Sequence, residues 1–300
     1  MSTSAPRLLL LGATGLLGQA MLAEAHERGW PCLGAARTGA ECELDATDPT
    51  ALRELVRAHA PSAIINCAAL TDLAACEERP GDAYAINARL PALLAELSIE
   101  RDLGFVHISS DHYFTGEGAA RHDESAGVRL LNEYARTKYA GEAFALAAPA
   151  ALVVRTNIVG LRGWPGRPTF AEWALQALQD SRPISLYDDF FTSSMHARAC
   201  AAAVLDLLAR GVMGLLNVAS SQVSSKREFV AALAAAAGLD LALAGTGSVR
   251  ELSPRRAESL GLDVSRAQEL LGRRLPGLDE TVRAILAERA SHIVKPGSVA

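Results

Sequence analysis

Residues 7–18 read Arg7-Leu8-Leu9-Leu10-Leu11-Gly12-Ala13-Thr14-Gly15-Leu16-Leu17-Gly18. Four consecutive leucines with no polar alternation suit a short strand buried on both faces, as in a parallel sheet covered by helices. The run passes directly into Gly-x-x-Gly-x-x-Gly, and helix-like sequence follows from Gln19 to Arg28. Glycines at such a junction let the chain turn tightly, let a pyrophosphate approach the backbone, and let helix and strand pack closely. The helix N-terminus adds N–H groups and a favourable dipole for phosphate. In isolation this glycine spacing would read as a turn. Flanked by strand and helix it reads as a dinucleotide site made by Gly12, Thr14, Gly15, Leu16, Leu17 and Gly18.

Working outward, Cys32 to Ala36 is a second strand ending at Arg37. An acid at that place would bond a ribose 2′-hydroxyl, whereas an arginine accommodates a 2′-phosphate, so Arg37 favours NADP(H), with NAD(H) left open. Glu43-Leu44-Asp45 reads as a short third strand, and Asp45 is placed to bond an adenine amino group. Asp48 and Pro49 are explained as N-cap and N1 of the next helix. Ser62 to Asn66 is the fourth strand; Cys67, Ala68 and Ala69 after it are small enough to admit a flat cofactor. Thr71 and Asp72 follow in a loop that could face a substrate. Ala83 to Arg101 reads as one long helix, in which Asn87 is a polar residue requiring hydrogen-bond partners. Leu103 to Ser109 is the fifth strand and Ala151 to Arg155 the sixth. Five strand–helix alternations define an α/β chain with a Rossmann-type, doubly wound parallel sheet.

Ligands in such sheets bind beyond the carboxyl ends of the strands. Ser110 lies there, where a hydroxyl can donate to a carbonyl that is becoming an alkoxide. His112 is a candidate substrate contact, and His107 inside the strand is a core histidine. Downstream comes Tyr134-Ala135-Arg136-Thr137-Lys138. Residues four apart share one helix face, which sets a phenol beside an ammonium. A neighbouring cation lowers a phenol's pKa, and such a pair suits proton exchange with a substrate oxygen.

Composition narrows the class. The 300 residues are 50% hydrophobic and 21% charged with mean hydropathy +0.14, as for a soluble chain with a large core. A net charge of -5 and pI ≈ 5.8 give no footprint for nucleic acid. The leucine run ends at Gly12, too short for a signal peptide or membrane span. Five scattered cysteines without Cys-x-x-Cys suit a reducing compartment, and imply neither disulfides nor a metal framework. The expected location is the cytoplasm.

In the second half, Leu161 to Pro168 is a Gly/Pro/Arg/Trp loop whose Trp164 could stack on a base, and Arg162 or Arg167 hold diphosphate. Thr169 to Ser181 reads as a helix. Leu186 to Phe191 and the helix His196 to Arg210 are expected to return to the sheet, with Leu215 to Val218 as its seventh strand. Ser225 and Glu228 fit a capping box. Leu239 to Ser253 reads as irregular, two short helices cover Val264–Leu271 and Asp279–Arg289, and residues 291–300 read as a loose tail. The expected division is a cofactor-binding domain at 1–160 and a smaller, mainly substrate-binding domain at 161–300, with about 184–219 returning to the sheet.

The glycine turn, a serine after a later strand and Tyr-x-x-x-Lys on the next helix together resemble the extended short-chain dehydrogenase/reductases. Within them the chain is most similar to the dTDP-4-dehydrorhamnose reductase family. The matching pieces are Asn66 to Thr71, Ala85 to Ala88, Ser109 to Phe114, Asn132 to Glu142, Arg155-Thr156 and Leu262 to Arg266. The resemblance implies hydride transfer from NADP(H) to the C4 ketone of a nucleotide-diphosphate deoxysugar. Tyr134 would give the proton, Lys138 would lower its pKa and hold the nicotinamide ribose, and Ser110 would orient the carbonyl. It adds Ala68, Ala69 and Asn87 to the dinucleotide set, and places Thr71, Asp111, His112, Ile158, Trp164 and Arg255 toward the sugar nucleotide. Arg255 and Arg256 follow Pro254 where the family clamps phosphate or packs its lid.

The chain departs from that family at the sugar. Ile158 replaces a tryptophan, His112 replaces a tyrosine, and a Pro-Thr step is missing from Asp188 to Ser194. Alternatives are an epimerase or dehydratase, the latter because Asp111 adjoins Ser110, and a non-catalytic NADP-binding regulatory subunit. A homodimer is left open.

Overall fold

The computed structural model describes residues 5–293, apart from 117 and 165. Its centre is a parallel sheet of β1 (Leu8–Leu11), β2 (Cys32–Ala36), β3 (Cys42–Glu43), β4 (Ala63–Asn66), β5 (Gly104–Ile108) and β6 (Ala151–Arg155). Gly214–Asn217 adds a seventh strand on the β6 edge. The order is β3-β2-β1-β4-β5-β6 and then the seventh strand, with the reversal of direction between β1 and β4. Leu11 is in register with both Ala35 and Asn66. The turn after β1 therefore opens at the switch point, where α/β sheets bind ligands.

Both faces of the sheet are covered, which explains the unbroken leucine run. Leu8 and Leu10 face a core shared with Met21 of the Leu16–Glu27 helix and Val204 of the Ala197–Ala209 helix. Leu9 and Leu11 face the opposite core, with Leu52 of the Pro49–His59 helix and Leu94 of the Leu90–Arg101 helix. A third core joins Leu175, Ile184, Leu186, Phe229 and Ile285 in the C-terminal part.

Three expectations change. Residues 83–101 are not one helix: Pro80–Tyr84 passes through a π turn at Ala85–Arg89 into Leu90–Arg101. The Glu133–Ala145 helix presses on that turn so closely that a Cβ at Gly141 would lie 1.9 Å from the Asn87 carbonyl oxygen. Residues 186–191 do not return to the main sheet. Ile184–Tyr187 pairs instead with Ala244–Gly247, inside the stretch read as irregular, because Ile184 and Leu186 are needed in the third core. Phe191–Thr192 joins Ser224–Ser225 and Ser259–Leu260 in a separate small sheet. The last helix, Leu278–Ile293, runs into the expected tail; residues 294–300 lie outside the described residues.

Candidate active site

At the switch point, Gly12 holds φ +78, and a Cβ there would stand 2.6 Å from the Ala68 backbone nitrogen. At Gly18 a Cβ would stand 2.1 Å from the Gly12 carbonyl oxygen. The glycines let the helix sit directly on the turn, and the turn directly on the end of β4. Gly15 caps the Leu16–Glu27 helix, and among the described residues no side-chain cap serves its first N–H groups. A cleft opens beside it, lined by Gly12, Thr14, Gly15, Ala36, Arg37, Thr38, Leu44, Ala46, Cys67, Ala68, Ala69, Ile86 and Trp164, among others.

This arrangement fits the adenosine and pyrophosphate of a dinucleotide. Arg37 lines it from an exposed position at the end of β2. Leu16, Leu17 and Gly18 belong to the helix start above it, and Leu17 and Gly18 are buried. Two expected contacts fall elsewhere. Asp45 is exposed, and its Oδ1 accepts from the Thr47 backbone at 2.9 Å and hydroxyl at 2.7 Å, while Leu44 and Ala46 face the cleft. Asn87 is fully buried and spends its amide holding the Leu70 backbone and the Thr137 hydroxyl. It braces the cleft rather than lining it.

The chemical residues gather past β5. Ser110 and Tyr134 are buried, and the Tyr134 hydroxyl donates to Ser110 Oγ at 3.3 Å. The Glu133–Ala145 helix carries Tyr134 and Lys138 on its inner face, started by Asn132, whose side chain accepts from the Ala135 N–H at 2.8 Å. A buried bidentate pair anchors that helix: Arg155 Nη2 reaches Glu142 Oε1 at 2.6 Å and Arg155 Nε reaches Oε2 at 2.9 Å. Ser109 also donates to Glu142 at 2.8 Å.

The expected lowering of the Tyr134 phenol is not found. Burial pushes it up to about 12, beyond what the Ser110 hydrogen bond offsets, and the nearby Asp111 charge pushes the same way. Lys138 instead gives its ammonium to the Ile108 carbonyl at 2.6 Å, and burial lowers it to about 8. A phenol in that state is protonated throughout the neutral range, as a donor in a reduction must be.

The sugar-side candidates separate. His112 sets its ring edge-on to Tyr134 at 5.4 Å between centroids, and its buried Nδ1 has no partner among the described residues. Desolvation, reinforced by Arg256 and Lys226, lowers its pKa to about 4. Asp111 is buried and accepts from Asn157 Nδ2 at 2.7 Å. Ile158, next to Asn157, is half-buried in a short pairing with Met195–His196. Thr71 is exposed beside the pinned Leu70. Trp164 lies in the dinucleotide cleft rather than with the sugar-side residues, its ring under the Arg162 guanidinium at 4.1 Å. Arg255 is exposed; it is Arg256 whose charge bears on His112 and Lys226, and whose buried Nε has no partner among the described residues.

Sequence reasoning missed Asn157, Ser194 and Lys226, while Arg256 belongs to the Arg255-Arg256 pair that it named. One signal was available: lysine occurs only at 138, 226 and 295, and two of the three are at this site. Among the described residues no group of His, Cys, Asp or Glu could hold a metal ion, and no helix is long and apolar enough to cross a membrane.

Comparison with known proteins places this geometry in context. Residues 6–291 match the family model described as the RmlD substrate binding domain. A probable low-salt glycan biosynthesis reductase of Haloferax volcanii is 31% identical over 290 residues, covering 92% of this chain and 96% of that one. A dTDP-4-dehydrorhamnose reductase of Mycolicibacterium smegmatis is 34% identical over 242 residues, 79% of this chain and 71% of that one. Among solved structures, a dTDP-4-dehydrorhamnose reductase of Bacillus anthracis in complex with NADP superposes with TM-score 0.84 at 23% identity, covering 95% of this chain and 100% of that one.

Proposed function

Because the chain belongs to the RmlD substrate binding domain family, we propose that it is an NADP(H)-dependent oxidoreductase that reduces the 4-keto group of a nucleotide-diphosphate deoxysugar. The observation that carries this reading is the Tyr134–Ser110 contact beyond β5, beside a glycine cleft that ends at Arg37. The relatives named as reductases support it. We assign residues 1–160 chiefly to the dinucleotide and 161–300 chiefly to the sugar nucleotide.

When bound, the dinucleotide supplies the hydride. The chain supplies the rest. The first turn of the Leu16–Glu27 helix and the glycine turn receive the pyrophosphate, and Arg37 receives the 2′-phosphate. Ser110 donates to the ketone oxygen as negative charge develops on it. Tyr134 transfers its phenolic proton to that oxygen, and Lys138, four residues on along the same helix, holds the nicotinamide ribose. Asp111 is held by Asn157 and faced by Lys226.

A panel of 4-keto nucleotide sugars assayed for NADPH oxidation tests the proposal. Oxidation with one of them is expected. Failure with all, together with a co-purifying partner protein, would replace it with the regulatory-subunit reading.

A further inference from the structure

A hydrogen-bonded line runs from the active site to the start of the Lys226–Ala237 helix. Asp111 accepts from Asn157 Nδ2 at 2.7 Å, and Asn157 Oδ1 accepts from Ser194 Oγ at 2.7 Å. Ser194 Oγ also lies 2.9 Å from Thr192 Oγ1 and receives Lys226 Nζ at 3.5 Å. The Lys226 ammonium lies over the Phe170 ring at 4.6 Å and the Phe190 ring at 5.6 Å.

Helix stability does not explain this lysine. A cation in a first turn opposes the helix dipole, and the N–H groups there are already served by the Ser225–Glu228 capping box. Burial, and after it the Arg256 charge, disfavours its charge, and the Asp111 carboxylate is what favours it. We infer that Lys226 is a positioning residue for the active site, supplying through Ser194 and Asn157 the counter-charge for the Asp111 carboxylate beside Tyr134 and Ser110.

The surrounding groups set the direction of the effect. Facing Lys226 are Asp111 and Arg256; facing Asp111 are Lys226, Asn157 and, from the Glu133–Ala145 helix, Tyr134. His112 feels Arg256 and Lys226, and Tyr134 also feels Cys76. Desolvation lifts the Asp111 carboxyl to about 7 even with Asn157 and Lys226 opposing it. Removing the lysine therefore lifts it further and leaves Asp111 neutral at neutral pH. Its negative charge helps keep the Tyr134 phenol protonated, so the lysine indirectly supports the donor state. That catalytic consequence rests on the reductase reading; the electrostatic coupling does not.

The test is a carboxyl NMR titration of the full chain carrying 13C-labelled aspartate, with the Asp111 signal assigned by its loss in Asp111→Asn. In the unsubstituted protein Asp111 should titrate near 7. Lys226→Met should move it upward by about one unit, a tenfold change in the ratio of ionised to neutral carboxyl, and Lys226→Arg should restore it. Ser194→Ala, which breaks the line without removing the charge, should move it upward by less, and serves if Lys226→Met does not fold. An unmoved titration in Lys226→Met, or in Ser194→Ala where that variant stands in, overturns the proposal. So does Asp111 titrating near its ordinary 3.8. With any sugar nucleotide that is turned over, the limb of the kcat–pH profile that follows Asp111 should move upward by about one unit in Lys226→Met. If no sugar is turned over, the reductase reading falls and the titration still decides the coupling.

Discussion

Tyr134 and Ser110, 24 residues apart in the chain, meet through a hydroxyl–hydroxyl contact of 3.3 Å. That is longer than the usual ~2.7–2.8 Å between hydroxyls. Catalytic hydrogen bonds are often loose before substrate arrives, and a ketone oxygen accepting from both hydroxyls would take the place of this contact. Ser110→Ala should lower kcat about 10²- to 10³-fold, the usual effect of removing one oxyanion donor. NADPH affinity should be unchanged, because Ser110 does not line the dinucleotide cleft. Fluorescence titration beside steady-state kinetics reads both quantities, and a parallel loss of NADPH binding would contradict this assignment.

Arg37 stands at the end of β2 on the cleft wall, with Asp45 close enough to feel its charge. Arg37→Ala should weaken NADPH by about 10- to 100-fold while leaving NADH nearly unchanged, as for a lost charge-assisted contact of about 1.5–3 kcal/mol. Dissociation constants for the two dinucleotides check this. Equal losses would remove the 2′-phosphate assignment.

The Arg155–Glu142 pair is buried on both sides and is bonded twice. Arg155 also stacks over Tyr113 at 5.4 Å and Phe114 at 5.5 Å. Arg155→Met leaves a carboxylate buried without its partner and should cost about 3–5 kcal/mol. The double variant Arg155→Met/Glu142→Leu should recover part of that loss. Urea unfolding midpoints of the two variants give the comparison.

The sheet was legible because its signals are local. An unbroken leucine run marks a two-faced strand, and residues 32–36 and 151–155 were bounded as found. The π turn was not legible, since it accompanies the close approach of Gly141 to Asn87, a contact between separate helices. Two-residue strands such as Ser224–Ser225 and Ser259–Leu260 are too short to show any period. Ser110, Tyr134 and Lys138 could be singled out from sequence because a hydroxyl past a strand end and a Tyr-x-x-x-Lys spacing each suggest a chemistry. Asp45 and Trp164 were misplaced, since which wall a loop residue joins depends on tertiary packing. Lys226 was hidden because a residue just after a serine cap reads as ordinary helix.

The central claim is that Tyr134 delivers the proton as reduced dinucleotide delivers the hydride. Single-turnover oxidation of NADPH by Tyr134→Phe, with a keto-sugar nucleotide the unsubstituted protein reduces, tests it most directly. The account predicts unaltered NADPH binding and a chemical step slowed about 10²- to 10⁴-fold, the range for loss of a general acid. A step as fast as that of the unsubstituted protein would contradict it.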